Sequence, residues 1–68
     1  MIVSGARGII FDPDMVYAID NCNGTYDIVT ENKNGAITLY ENVLKESVEN
    51  IMDRITFQIE CQVLKNED

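Results

Sequence analysis

The sequence predicts an α+β fold: an antiparallel meander of about three strands packed by one helix. Three observations lead there. Two Asn-Gly pairs, Asn23-Gly24 and Asn34-Gly35, punctuate segments rich in β-branched and aromatic residues, the pattern of successive hairpins. Leu44, Val48, Ile51, Met52 and Ile55 then recur at intervals of three and four, the period of one helix face. The chain of 68 residues holds a single small domain, residues 1–68.

Taken in order, Gly5-Ala6-Arg7-Gly8 lacks the Gly-Lys-Ser/Thr of a phosphate loop and is expected to be a flexible N-terminal turn. The apolar run Gly8–Phe11 closes at Asp12-Pro13-Asp14, where proline presets a turn. Met15–Ile19 is a strand, Asp20–Gly24 a turn, Thr25–Thr30 a second strand, Glu31–Gly35 a turn and Ala36–Tyr40 a third strand. Asn tolerates positive φ and Gly carries no Cβ, so both loops suit tight reversals. A helix is expected over 42–54, with Asn42 as its cap.

The tail divides two readings. Ile55-Thr56-Phe57-Gln58-Ile59-Glu60-Cys61-Gln62-Val63 alternates apolar and polar residues, which favours a further strand. The alternative is a helix extended to the C-terminus. Ile55, Ile59 and Val63 would then lengthen the first stripe, and Phe57, Cys61 and Leu64 would form a second on the far side. A helix apolar on two sides needs a partner on each, such as a homodimer. Lys65–Asp68 is expected to fray. The expected core is Leu44, Val48, Ile51 and Ile55 over a sheet contributing Met15, Tyr17, Ile19, Ile28 and Leu39.

Composition restricts function. Histidine is absent, which removes the commonest general base and a common zinc ligand. Twelve Asp/Glu against five Lys/Arg give a net charge of −7; such a surface repels nucleic acid and anionic membranes and favours a basic protein partner. No leader-like stretch and no membrane-length apolar run occurs, so a soluble, cytoplasmic protein is expected, with Cys22 and Cys61 as reduced thiols.

Chemical sites are few. Asp20-Asn21-Cys22-Asn23-Gly24-Thr25-Tyr26-Asp27 suggests a calcium loop, but aligning Gly24 with the turn glycine places Ile19 and Thr30 where carboxylates are required. Cys22 has no histidine to activate it, and Asn23-Gly24-Thr25 is a glycan acceptor only in a secreted chain. The stretch is a turn. Gly8-Ile9-Ile10-Phe11-Asp12-Pro13-Asp14 resembles the first motif of haloacid-dehalogenase-type phosphohydrolases, in which the two aspartates act beside magnesium. Met15-Val16 stands in place of the Gly-Thr that follows there, and the chain is too short for the parallel sheet of such enzymes. A non-enzymatic protein without catalytic residues, metal or cofactor is therefore expected.

The acidic residues offer a docking surface instead. Glu46, Glu49 and Asp53 fall on the helix side opposite the apolar stripe, spaced roughly 4.5 to 6 Å along the axis. Asp12 and Asp14 would lie ~6.6 Å apart if extended. Rows of charge at such intervals imitate a phosphate backbone.

Phe11-Asp12-Pro13-Asp14-Met15-Val16-Tyr17-Ala18-Ile19, then Ile28-Val29-Thr30, Asn34-Gly35, Glu46-Ser47-Val48-Glu49-Asn50-Ile51 and Arg54-Ile55 resemble the small flagellar-operon proteins of the FlbD/SwrD type. The likeness spans about 45 of the 68 residues, with extra residues before Glu46 and without the basic tail. It implies a hairpin fold with a closing, helical tail, a helix capped by Ser47, and a flagellar regulatory or structural adaptor. In overall type, a short, acidic, histidine-free chain resembles phage or mobile-element inhibitors of host defence, anti-CRISPR proteins included. That likeness implies a DNA mimic that occludes the nucleic-acid-binding surface of a host protein.

Overall fold

The computed structural model describes residues 1–66. Strands β1 (Ile2–Ser4) and β2 (Ile9–Phe11) form a small hairpin, and β3 (Met15–Asp20), β4 (Thr25–Asn32) and β5 (Gly35–Leu44) form the meander in the order β3-β4-β5; helix α1 (Lys45–Asn66) follows. All pairings are antiparallel. The α+β meander with one packed helix stands as the sequence predicts, with the β1–β2 hairpin added. The reversals fall where expected, and Gly24 and Gly35 hold φ of 87° and 141°, but neither Asn23 nor Asn34 takes a positive φ; Cys22 does, at 63°, while the Asn23 and Asn32 side chains accept backbone amides two residues on.

Hairpin and helix lie side by side over one face of the meander. Val3 and Ile10 from the hairpin, Ile28, Leu39 and Val43 from the sheet and Ile55 from the helix form the buried cluster, with Val16, Ile37, Tyr40, Val48, Ile51, Met52 and Ile59 packed against it. Thr30 is fully buried, and its hydroxyl donates to Met15 O at 2.9 Å.

The tail is helix, not strand. No Gly or Pro interrupts residues 45 to 66, so a helix once begun propagates at the cost of one residue's ordering per bond gained. It places Ile55 and Ile59 beneath Val48, Ile51 and Met52 on the core side. Gln58 and Gln62, polar positions of the apparent alternation, fall together on the side facing β1. Their amides complete its free edge: Ile2 and Ser4 each donate an N–H to a glutamine oxygen and accept from the same glutamine's nitrogen, at 2.6 to 2.9 Å. Side chains four apart on a helix are about 6 Å apart along the axis, and residues two apart on a strand about 6.7 Å. The match lets one helix edge imitate a neighbouring strand.

Other expectations shift. The helix begins at Lys45, because β5 runs on through Asn42 and Val43 to Leu44. Asn42 is no cap: it sits inside β5 at φ 53° and its amide donates to Asp27 Oδ1 at 3.1 Å. Leu44 pairs with Thr25 as the last strand residue and is 54% exposed. Met15 and Ile19 are exposed and Tyr17 half-buried; Val16, on the other face of β3, meets the core. Alternation reveals a two-faced strand but not which face is covered. The Gly5–Gly8 segment is a closed hairpin turn docked on β5, with Gly5 N–H bonded to Gly8 O and Arg7 N–H to Leu39 O. Lys65 and Asn66 continue the helix, and the expected fraying of Glu67 and Asp68 lies outside the described residues.

Candidate functional site

The acidic residues singled out by the sequence divide into two groups. Glu46, Glu49 and Asp53 are exposed on the first half of α1, where the inward positions are taken by Val48, Ile51, Met52 and Ile55. Later turns add Glu60 to the solvent side, together with Phe57 and Leu64, 67% and 65% exposed. Cys61 is half-buried at the margin of this ridge. The ion pairs among the described residues are Met1–Asp12 and Arg7–Glu41, so none of the helix acids there has a cation in contact. They face water without an ion-pair partner, with Lys45 and Arg54 exposed on either side of them.

Asp12 and Asp14 stand elsewhere. Asp12 N–H bonds to Met1 O, and Met1 and Ile2 lie beside Gln62 in the last turns of the helix. Glu49 precedes Gln62 by 13 residues, roughly 20 Å along the axis. The two groups therefore form no continuous row. Asp12, in the left-handed region at φ 49°, takes the Met1 amino group on its carboxylate at 2.8 Å. That hydrogen bond and charge hold its carboxyl below the usual range, with Lys33 assisting. Asp14 N–H donates to Glu31 O at 2.8 Å, fixing the start of β3. Asp12 and Asp14 share with Asn32, Lys33 and Asn34 an open depression of about 260 Å³. Among the described residues no three Cys, Asp or Glu side chains converge as metal ligands would.

The DNCNGTYD loop is a turn held by its own polar groups. Cys22 takes φ 63° with its amide bonded to Asp20 Oδ1 at 2.8 Å, and Asn23 Oδ1 accepts both the amide and the hydroxyl of Thr25. Asn21 Nδ2 donates to Asp27 Oδ1 at 2.9 Å. Asp27 thus ties the hairpin to the irregular Asn42; the Asn21 bond first and the Asn42 amide second keep its carboxyl below the ordinary value. Cys22 and Cys61 are both free thiols.

Two features escaped the sequence reading: Gln58 and Gln62 as strand partners, and the exposed side of β3. The glutamines' i, i+4 spacing was a signal for the first. On β3, the Tyr17 hydroxyl is pushed above its ordinary range by its hydrogen bond to the Glu31 carboxylate, which places both on the outer face of the sheet. No described helix is long and apolar enough to cross a membrane. No protein-family model, curated protein or solved structure matches the chain.

Proposed function

We propose that the protein is a non-enzymatic, acidic protein-binding module whose helix docks on a basic surface, in the manner of a phage or mobile-element inhibitor that occludes a host protein's nucleic-acid site. The observation that carries the reading is the unpaired acidic ridge of α1. Glu46, Glu49 and Asp53 are exposed together with no cation in contact among the described residues, on a helix anchored along its other side by Ile55, Gln58 and Gln62. A rigid helix that gathers Glu46, Glu49 and Asp53 on one side, with Lys45 and Arg54 flanking them, steers that side toward positive charge and sets orientation on arrival. The separation of Asp12 and Asp14 from this ridge makes them a second, minor contact at most, since Asp12 is already engaged by the Met1 amino group.

The test uses the immobilised chain to capture a nucleic-acid-binding protein from bacterial lysate, then measures that protein's nucleic-acid binding with and without the chain. Competition, weakened at least about ten-fold by the combined Glu46→Gln, Glu49→Gln and Asp53→Asn changes, is the expected result; ten-fold corresponds to about 1.4 kcal/mol. Unchanged affinity and salt dependence in that variant would overturn the acidic-face reading.

A second reading, the flagellar-type adaptor, draws support from the exposed apolar residues Phe57 and Leu64 on the same helix. It predicts a partner held by apolar contact with little salt dependence. Phe57→Ser with Leu64→Ser would abolish that contact while the acidic triple variant leaves it intact.

A further inference from the structure

Three strand edges of the fold take hydrogen bonds from outside their own ladders. The outer edge of β1 is bonded by Gln58 and Gln62. Phe11 O, at the end of β2, accepts from Asn32 Nδ2 at 2.7 Å. The outer edge of β5 receives the Gly5–Gly8 turn, with Arg7 N–H on Leu39 O. Among the described residues, β2 and β5 receive one such bond each, and Val16 and Ala18 of β3 receive none. β3 packs along β4, and among the described residues no backbone group of Val16 or Ala18 is engaged on the far side.

The phase of the ladder identifies the free groups. Asn21 N–H donates to Thr25 O. Bonded and unbonded pairs alternate in an antiparallel ladder, so Ile19 and Tyr17 bond to Asp27 and Val29. Val16, Ala18 and Asp20 point their N–H and C=O groups outward. The strand is Met-Val-Tyr-Ala-Ile-Asp, with no lysine, no proline and no charge before its last residue. Natural edges are usually blunted by such residues or covered.

We propose that β3 is a self-association edge, at which two copies pair antiparallel about a two-fold axis through Ala18 and join their meanders into one continuous sheet. Symmetric pairing admits two central registers. With Tyr17 opposite Tyr17, Asp14 falls opposite Asp20 of the partner subunit, a like-charge pair that destabilises a ladder. With Ala18 opposite Ala18, Val16 meets Asp20 of the partner subunit, and every outward group of Val16, Ala18 and Asp20 finds a partner. On the outer face, Tyr17 then lies opposite Ile19 of the partner subunit, an aromatic against a β-branched residue, among the favourable cross-strand pairs. It covers Ile19, now 45% exposed. On the inner face, Ala18 lines an open cleft of about 320 Å³ with Tyr26 and, from the helix, Lys45, Val48 and Glu49, so open space separates Ala18 from the helix.

The net charge of −7 makes the two copies repel, so association strengthens as salt screens that repulsion. This is opposite in sign to the salt dependence of docking on a basic protein, so salt separates the two even though Glu49 borders the cleft beside Ala18. The two proposals therefore succeed or fail separately.

Analytical ultracentrifugation from micromolar to hundreds of micromolar protein, at low and high sodium chloride, tests the association. A monomer–dimer equilibrium that tightens with salt is expected. Ala18→Pro should weaken it at least about ten-fold, because proline removes an outward N–H that β4 does not use; retained circular dichroism reports an intact fold. In a Cys22→Ser, Cys61→Ser background, Ala18→Cys should oxidise to a covalent dimer, since directly opposed bonded residues lie about 5.5 Å apart within disulfide reach. A monomer at every concentration and salt overturns the proposal, as does an Ala18→Cys chain that fails to cross-link. Preferential cross-linking of Tyr17→Cys over Ala18→Cys overturns the register.

Discussion

Gln58 and Ser4 exchange hydrogen bonds as two strand residues would: Ser4 N–H donates to Oε1 at 2.9 Å, and Nε2 donates to Ser4 O at 2.9 Å. At neutral pH only an amide side chain presents donor and acceptor side by side in this way. Gln58→Glu keeps the acceptor and loses the donor, setting a carboxylate against Ser4 O. A loss of about 1–3 kcal/mol at neutral pH is expected. The deficit relative to the parent should shrink below pH ~4.3, where the carboxyl protonates and regains a donor. Urea denaturation at both pH values measures it. A Gln58→Glu chain as stable as the parent at pH 7 would remove the strand-mimic account.

Ile55 and Phe57 distinguish the helical tail from a strand. A strand would place both on one face; the helix buries Ile55 to 1% exposure and leaves Phe57 at 67%. Ile55→Ala should cost about 2–5 kcal/mol and Phe57→Ala within about 0.5 kcal/mol in the monomer. Comparable losses from the two substitutions would contradict the packing.

Gly5 is needed for closeness rather than flexibility. A Cβ there would lie 2.7 Å from Leu39 Cβ and 2.9 Å from Leu39 O, so the turn presses its backbone against β5. Gly5→Ala should destabilise by about 1–3 kcal/mol, the usual cost of overpacking, seen as a lower urea midpoint. Gly24→Ala meets no atom within 4 Å but stays strained by its φ of 87°.

Asp27 contributes acid sensitivity. Its folded carboxyl lies below the ordinary value of 3.8 because Asn21 and Asn42 bond its charged form. The unfolded state therefore binds the proton more readily. The stabilisation is fully present above the unfolded value and is lost as pH falls through the folded one. Asp27→Asn should lower the melting temperature at pH 7 and flatten its decline at pH below 3.8. A variant whose acid limb matches the parent's would assign that limb to other carboxylates, with Asp12 next through its bond to the Met1 amino group.

Much of the fold was legible because its signals were local. Asn-Gly pairs mark reversals wherever they sit, and Ile28 and Leu39 fall in the core as their segments suggest. What escaped depended on partners distant in the chain. β1 has three residues, too few to display a period, and exists because β2 and α1 supply its two edges. The tail's alternation was ambiguous because Ile55 and Ile59 satisfy both periods; the need of β1 for bonding groups decided between them. Met15 and Ile19 look like core residues until Val16 is seen to face Thr30 across the ladder. Of the acidic residues, the helical triad was legible from spacing alone. The distance of Asp12 and Asp14 from it was not, since it follows from where the first hairpin docks.

The bond between Ile2 and Gln62 joins residues 60 positions apart. A two-stranded hairpin such as β1–β2 is at best marginal in isolation, and Val3 and Ile10 have no cover until the helix arrives. During synthesis, residues 1–11 must therefore wait until Gln58 and Gln62 have left the ribosome. A nascent chain halted before Gln58 should hold the meander at most, with its first eleven residues open to protease, and their protection should appear in one step once the glutamines emerge.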